Sequence, residues 1–205
     1  MGIRLVGIEG VDTLMWPEND TNAFQWPMYD WVNGKNYFMQ YVKQNNVVIQ
    51  AGGCCGMYPR FYSRYFKKVY TFEPNKGNYT YLEANCKDTP NIISRNVALG
   101  NAHSMVSMYK PDAPGEEHNV GMYTIDESPG DVEMITLDSL NLEACDLIHF
   151  DMEGYEANAL MGARKLLETY SPVVIVEHGN GKEFLQELGY ELKVKLSMDA
   201  IYVRS

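Results

Sequence analysis

The 205-residue chain has no apolar run approaching the roughly twenty residues that a membrane-spanning helix requires, so a helical membrane protein is excluded. Cysteine is scarce. Cys54 and Cys55 are adjacent and Cys86 and Cys145 stand alone, and no spacing matches a zinc site or a disulfide framework. Basic residues are also few. Against 27 Asp and Glu there are 17 Lys and Arg, and the net charge of −10 repels phosphate backbones and anionic lipid surfaces, which argues against nucleic-acid and membrane partners. Internal repeats and low-complexity tracts are absent. The opening MGIRLVGIEG reaches Glu9 before any signal-like core develops, so a reduced, cytoplasmic setting is expected. At this length one domain can bury a sufficient core without covalent staples.

What the chain does have is a hydrophobic strand running directly into glycines. Val47 to Gly56 read VVIQAGGCCG, and seventeen residues past Gly56 a second strand, VYTF, ends in Glu73. A strand, a tight glycine loop and a helix bring backbone N–H groups close to a ligand. An acid at the tip of the next parallel strand accepts hydrogen bonds from ribose hydroxyls. The pairing predicts an adenosine-type cofactor.

Around this unit the pattern is α/β. Residues 1–34 are rich in Trp, Pro, Asn and Asp and read as an irregular cap, whose Trp16, Trp26 and Trp31 cover one end of a core or wall a pocket. Residues 35–205 read as a single domain. Tyr37, Phe38, Tyr41 and Val42 share a helical face that Asn45 and Asn46 terminate, and Tyr58, Phe61, Tyr62, Tyr65 and Phe66 form an aromatic stripe suited to packing on a sheet. Val69–Phe72, a helix through Tyr79, Leu82 and Cys86, and a strand near Asn91–Ser94 continue the alternation. Residues 103–136 break it with short β-like runs (Met105–Tyr109, Val120–Thr124, Val132–Thr136) and read as an inserted β segment. The alternation resumes with Asp146–Phe150, a helix from Ala157 to Tyr170, Pro172–Glu177 and a helix through Phe184 and Leu188. The tail GYELKVKLSMDAIYVRS reads as an antiparallel hairpin.

Ligands of open α/β sheets sit beyond the carboxyl ends of the parallel strands. Those ends deliver Gly52, Gly53 and Gly56, then Glu73, Asn96, Asp151 with Glu153, and Glu177 with His178. So many carboxylates on one rim repel a phosphate and suit a cation. S-adenosylmethionine carries a sulfonium, an ammonium and no phosphate, so the rim favours a methyl donor over a dinucleotide.

The sequence resembles the FkbM family of S-adenosylmethionine-dependent methyltransferases over roughly residues 35–205. The blocks that carry it are VVIQAGGCCGMY, YTFEPN, NVALG, ITLDSL, LIHFDMEGYEANALMGARKLL and VVIVE, of which DMEGYEANALMGA is the most family-specific. The resemblance implies a class I methyltransferase fold, a Rossmann-like, doubly wound, mostly parallel sheet with a C-terminal antiparallel hairpin. It implies Gly52 and Gly56 beside the methionine part of the donor, Glu73 on the ribose and Asn96 near the adenine. Asp151, Glu153 and Gly154 would face the transferable methyl group. Gln50, Gly52, Gly53, Gly56, Glu73, Pro74, Asn96 and Asp151 form the expected donor-binding set. Gln50 departs from the family, which places an acid there, and an amide loses the charge-assisted part of a bond to an ammonium.

The expected reaction is methyl transfer to a hydroxyl of a small-molecule or sugar-like acceptor, with Asp151, Glu153 and His178 as the catalytic residues. Removal of the acceptor proton falls to Asp151, His178 or His149, with Glu177 placed to orient His178. Asp151, Glu153 and Glu177 also have the oxygen chemistry of a hard-cation site, although the cationic donor already accounts for them and no metal is expected. Two alternatives stand beside this reading. One is a methyltransferase-like binding module weakened by Gln50, and the other is an NAD-dependent oxidoreductase, whose regular glycine spacing the loop lacks.

Overall fold

A computed structural model of the chain describes residues 2–8, 11–20, 23 and 35–204. It begins with a hairpin, β1 (Ile3–Ile8) and β2 (Asp12–Pro17), paired antiparallel with Ile3 opposite Pro17. Of the irregular cap expected over residues 1–34, the part from Ile3 to Pro17 is thus a regular hairpin. The density of turn-forming residues hid a short alternation in β2, where Leu14 and Trp16 are buried and Asp12 and Thr13 are exposed. Trp26 and Trp31 lie outside the described residues.

The next elements are α1 (Lys35–Met39), β3 (Val47–Ala51), α2 (Met57–Tyr62), β4 (Lys68–Phe72), α3 (Lys76–Cys86) and β5 (Ile92–Arg95). Then come β6 (Ala98–Leu99), β7 (Ser104–Tyr109), β8 (Thr124–Asp126) and β9 (Val132–Ile135). The chain closes with β10 (Leu147–Phe150), α4 (Glu156–Met161), α5 (Arg164–Tyr170), β11 (Val173–Glu177), α6 (Lys182–Glu187), β12 (Tyr190–Lys195) and β13 (Asp199–Arg204). No helix among the described residues is long and apolar enough to cross a membrane.

The central sheet has the order β12-β13-β11-β10-β3-β4-β5. Strands β5, β4, β3, β10 and β11 are parallel, while β13 runs antiparallel to both β11 and β12. From β3 the chain winds outward to β5, then crosses back to lay β10 and β11 on the other side of β3. The order therefore reverses between β3 and β10, and a crevice opens where the two loops part. A second sheet, β6-β9-β7-β8, occupies much of residues 98–135.

Near-continuous apolar runs suit these strands because both faces of the sheet are covered. On one face Ile49, Phe72, Ile148, Phe150, Val174 and Val176 pack with Leu160 of α4, Leu167 of α5 and Met134 of β9. On the other, Val48, Val69, Leu147, Val173 and Ile175 meet Tyr58, Phe61 and Tyr62 of α2, with Leu14 and Trp16 of the hairpin.

Three local expectations need correction. The helix expected through Val42 closes at Met39, where the N–H groups of Tyr41 and Val42 bond three residues back to Phe38 and Met39. The helix expected over 157–170 is two helices. Gly162 lies so close to Gly100 that a Cβ there would stand 1.9 Å from its carbonyl oxygen, and the Asp138 carboxylate caps α5 through the N–H groups of Lys165 and Leu166. The strand expected at 120–124 begins only at Thr124, because Val120 spends its backbone groups on the side chains of Asp20 and Asn78 instead of a ladder.

Candidate functional site

A cavity of about 360 Å³ sits at the carboxyl ends of β3, β4, β10 and β11, over the point where the strand order reverses. Its floor is Ala51, Gly52, Gly53 and Cys54 from the loop after β3. Glu73 and Pro74 after β4, and Asn78 in α3, form one wall; Asp151, Met152 and Glu153 after β10, with Glu177 and His178 after β11, form another. Asp199, the first residue of β13, joins this acidic wall because β13 runs antiparallel and so starts at the same rim, opposite Glu177. Trp16, Ala23, Asn119, Gly121, Tyr123 and Ile125 complete the enclosure from the hairpin side and the inserted segment.

The glycine turn is dictated by crowding. Gly52 has φ +81°, and a Cβ there would stand 1.7 Å from the Asp151 carbonyl oxygen, so only glycine lets β3 and β10 deliver their loops side by side. The N–H groups of Gly52 and Gly53 both reach the Phe72 carbonyl (3.1 and 3.0 Å), which turns the loop toward β4. Gly56, with φ +95°, starts α2 behind this turn and does not line the cavity.

Glu73 faces the turn. Its Oε2 accepts the Cys54 N–H at 2.7 Å and its Oε1 accepts the Asn75 N–H at 2.8 Å. The residue is 5% exposed, and burial raises its carboxyl to about 7 despite those two bonds, which pull the other way. Each oxygen keeps an acceptor position beyond the one the backbone uses. Asn96, expected near a purine, does something else: its exposed side chain donates to the carbonyls of Glu73 (2.7 Å) and Pro74 (3.1 Å) and braces the end of β4 from outside. Val97 and Leu99 line the cavity in its place.

Gln50 is the clearest correction. It lies within β3, one residue before the strand ends, and its side chain points into the sheet face covered by α2, fully buried and away from the cavity. Its Oε1 accepts the Thr71 hydroxyl at 2.7 Å, and its Nε2 donates to the carbonyls of Ala51 and Gly52 at 3.1 and 2.9 Å. A carboxylate could not donate to those carbonyls, so the amide is the chemistry this position requires. Its partner across β10 is His149, also fully buried. The Tyr62 hydroxyl lies 3.0 Å from His149 Nδ1, the Tyr58 ring packs edge-on at 4.6 Å, and burial lowers the imidazole to about 3. His149, considered above as a base, therefore sits in the core beneath α2 and does not line the cavity.

The acidic wall is brought together as expected. One carboxylate oxygen from each of Asp151, Glu153 and Glu177 lies within 4.8 Å of the others, a donor set of the type hard cations take. Burial, then the charges of Glu177, Asp199, Glu153 and Glu156, raise Asp151 well above the usual carboxylate range. Partial burial and neighbouring carboxylates raise Glu153 to about 7 and Glu177 to about 8. His178 stands at the mouth with φ +50°, its Nε2 3.5 Å from Glu177 Oε1 and its side chain 56% exposed. Sequence reasoning missed Glu156, which organises this wall from behind. It is fully buried and accepts the N–H groups of Met152 and Gly154 (2.8 and 3.3 Å) and the Asn180 amide (2.9 Å), which holds the turn Met152–Gly154 in shape. An acid in the first turn of a helix was the available signal.

Comparison with known proteins agrees with this geometry. The family model described as the methyltransferase FkbM domain matches residues 54–199. Methyltransferase FkbM from Methylobacillus flagellatus KT aligns with 78% of this chain at 15% identity and a TM-score of 0.57, and the aligned part is 43% of that longer chain. A candidate methyltransferase from Streptococcus mutans, solved in complex with SAH, aligns with 83% of this chain and 94% of its own at 14% identity and TM-score 0.51. Fibrillarin from Aeropyrum pernix, with natively bound S-adenosyl-L-methionine, aligns with 98% of this chain and 82% of its own at 14% identity and TM-score 0.52. Among curated proteins no match is found. At these identities the structural likeness speaks to fold, which is that of the class I methyltransferases: a mostly parallel α/β sheet with antiparallel strands at one edge.

Proposed function

The chain belongs to the FkbM methyltransferase family, and from that premise we propose that it transfers a methyl group from S-adenosylmethionine to a hydroxyl of a small-molecule or sugar-like acceptor. The observation that carries the donor half is Glu73, buried against the glycine turn with both oxygens oriented by backbone N–H groups and both still able to accept from a pair of ribose hydroxyls. The cavity fits such a donor in charge as well. Among the described residues no Lys or Arg lines it, so a dinucleotide's phosphates find no partner, while Asp151, Glu153, Glu177 and Asp199 suit a sulfonium and an ammonium. Gln50 offers no reason to read a disabled site, since it never faces the ligand space.

When bound, the donor supplies a methyl group activated by its sulfonium. What remains for the protein is alignment and removal of the acceptor's proton. In this reading Gly52 and Gly53 admit the amino-acid portion, Glu73 and Pro74 hold the sugar, and Val97 and Leu99 flank the base. Asp151 and Glu153 present negative charge to the cationic centre. His178 takes the acceptor proton at Nδ1 and releases it to solvent at the open mouth, with Glu177 orienting the ring through Nε2. With no Lys or Arg among the described lining residues and four carboxylates on the rim, an anionic acceptor is disfavoured, and Tyr123, Ile125, Met108 and Met198 give the acceptor apolar contacts.

The test is titration calorimetry with S-adenosylhomocysteine, followed by incubation with methyl-labelled donor and a panel of hydroxylated small molecules, with mass spectrometry to assign the methylated atom. Saturable binding and an O-methyl product are expected, and His178→Ala should lower turnover about a hundredfold or more while leaving donor affinity intact. No heat at millimolar ligand overturns the donor reading, and methylation confined to nitrogen overturns the acceptor reading.

A further inference from the structure

The cavity is closed on one side by two pieces of chain far apart in sequence, and a single buried carboxylate fastens them to each other. Asp20 is 2% exposed and does not line the cavity. Its Oδ2 accepts the Trp16 indole N–H at 2.8 Å and the Ala23 N–H at 3.2 Å; its Oδ1 accepts the Val120 N–H at 3.0 Å. Trp16 and Ala23 line the cavity from the N-terminal piece, and Asn119 and Gly121 line it on either side of Val120. The two pieces touch: a Cβ on Gly121 would stand 3.5 Å from that of Ala23. Val120 is gripped from its other side too. Its carbonyl accepts the side chain of Asn78, a buried residue in the first turn of α3, five positions past Glu73.

We infer that Asp20 is a positioning residue for the methyl donor. By tying Trp16, Ala23 and Val120 to one carboxylate it holds a cover over the nucleoside half of the cavity, and bound donor leaves only when that tie opens. The inference rests on the donor reading above. Its chemistry is specific to a carboxylate. Three N–H groups converge from three directions, and an amide would turn its own N–H toward at least one of them. The hairpin itself is anchored elsewhere, since the Asn85 side chain exchanges two bonds with the backbone of Met15, at 2.8 Å each, and Arg60 and Arg64 pair with Asp12. Loss of the Asp20 tie should therefore loosen the cover without releasing the hairpin.

The experiment measures S-adenosylhomocysteine binding and release by stopped-flow tryptophan fluorescence, on the parent protein, Asp20→Asn, Asn78→Ala and Arg4→Ala. Arg4 meets Asp20 from outside, at its carbonyl (2.6 Å) and Oδ2 (3.5 Å), and its removal leaves all three N–H bonds. We expect release about tenfold to a hundredfold faster in Asp20→Asn and about tenfold faster in Asn78→Ala, with unchanged stoichiometry, and parent-like release in Arg4→Ala. A merely structural defect would instead reduce the competent fraction and leave the rate of the remainder alone. Parent-like release in both Asp20→Asn and Asn78→Ala overturns the inference, as does equally fast release in Arg4→Ala. Should Asp20→Asn fail to fold, Asn78→Ala decides alone. No binding by the parent protein overturns the donor reading itself, a result that these rates keep separate.

Discussion

Replacing Glu73 with glutamine is the sharpest perturbation the site allows, because it keeps the shape and removes the chemistry. In the parent, one oxygen takes the Cys54 N–H and the other the Asn75 N–H, and each has an acceptor position left for a ligand hydroxyl. Glutamine has one such oxygen. Its NH2 must face either the Cys54 or the Asn75 N–H, and it presents a donor where a ribose hydroxyl needs an acceptor. A hydrogen bond to a charged group contributes about 1.5–3 kcal/mol. Losing one and weakening the other amounts to about 2–4 kcal/mol, or roughly thirtyfold to a thousandfold in affinity for S-adenosylhomocysteine. Calorimetry at pH 8 measures it, and binding by Glu73→Gln within about threefold of the parent would refute the assignment.

The same residue sets a pH dependence. Burial holds the free carboxyl at about 7, and the form that accepts two hydroxyls is the ionised one. Below about pH 7 a proton must leave before the ligand binds, so affinity should fall with falling pH and approach a tenfold loss per unit. Asp151, Glu153 and Glu177 are raised too and contribute to the parent's profile. The share that flattens in Glu73→Gln is the part belonging to Glu73.

The ligand-free protein should lose stability as pH rises. Glu73, Glu153 and Glu177 have folded values of about 7, 7 and 8, above their ordinary value of 4.5, so the native state binds more protons than the unfolded chain from about pH 5 to 8 and stability declines across that window. A melting temperature higher at pH 8.5 than at pH 5.5 would contradict this, whereas Glu177→Gln should raise the melting temperature at pH 8.5. Gly52→Ala and Gly154→Ala separate strain from collision. Both have positive φ, but a Cβ on Gly154 meets nothing within 4 Å while one on Gly52 meets the Asp151 carbonyl, so urea unfolding should show a loss of about 1–2 kcal/mol for Gly154→Ala and a clearly larger one for Gly52→Ala. Gln50→Glu, which restores the family's acid, should cost about 3–5 kcal/mol by turning a buried carboxylate toward the Ala51 and Gly52 carbonyls. A stable Gln50→Glu that binds S-adenosylhomocysteine more tightly would refute that account.

How far the site was legible follows from where information sits in a parallel sheet. Residues at or shortly past the ends of the strands flanking the reversal point stand at the crevice, so Gly52, Glu73, Asp151, Glu153, Glu177 and His178 were readable from strand assignment, and all line one cavity. Two others were not readable in this way: Gly56, five positions past β3, starts a helix, and Asn96 follows the edge strand β5, away from the reversal point, and turns its side chain back to brace β4 from outside. The enclosing parts were opaque for a different reason. Asp20, Asn78 and Val120 are joined by bonds across 42 and 100 positions of sequence, and no periodicity registers such pairs.

Gln50 and His149 show the one rule that would have corrected the reading without coordinates. Side chains in a strand alternate between faces, so a residue one place before the strand end projects from the sheet and not along it. Val48 and Val69 pack under α2, and Gln50 and Thr71, two positions on, share their side; Leu147 and His149 repeat the relation on β10. The three polar side chains therefore form a row across the middle of the sheet beneath an aromatic helix, with Gln50 bonded to Thr71 and His149 to Tyr62. A buried polar row must be satisfied internally. That requirement explains an amide at Gln50, whose oxygen and NH2 are both used, and it places the deviation from the family pattern in the core rather than in the chemistry.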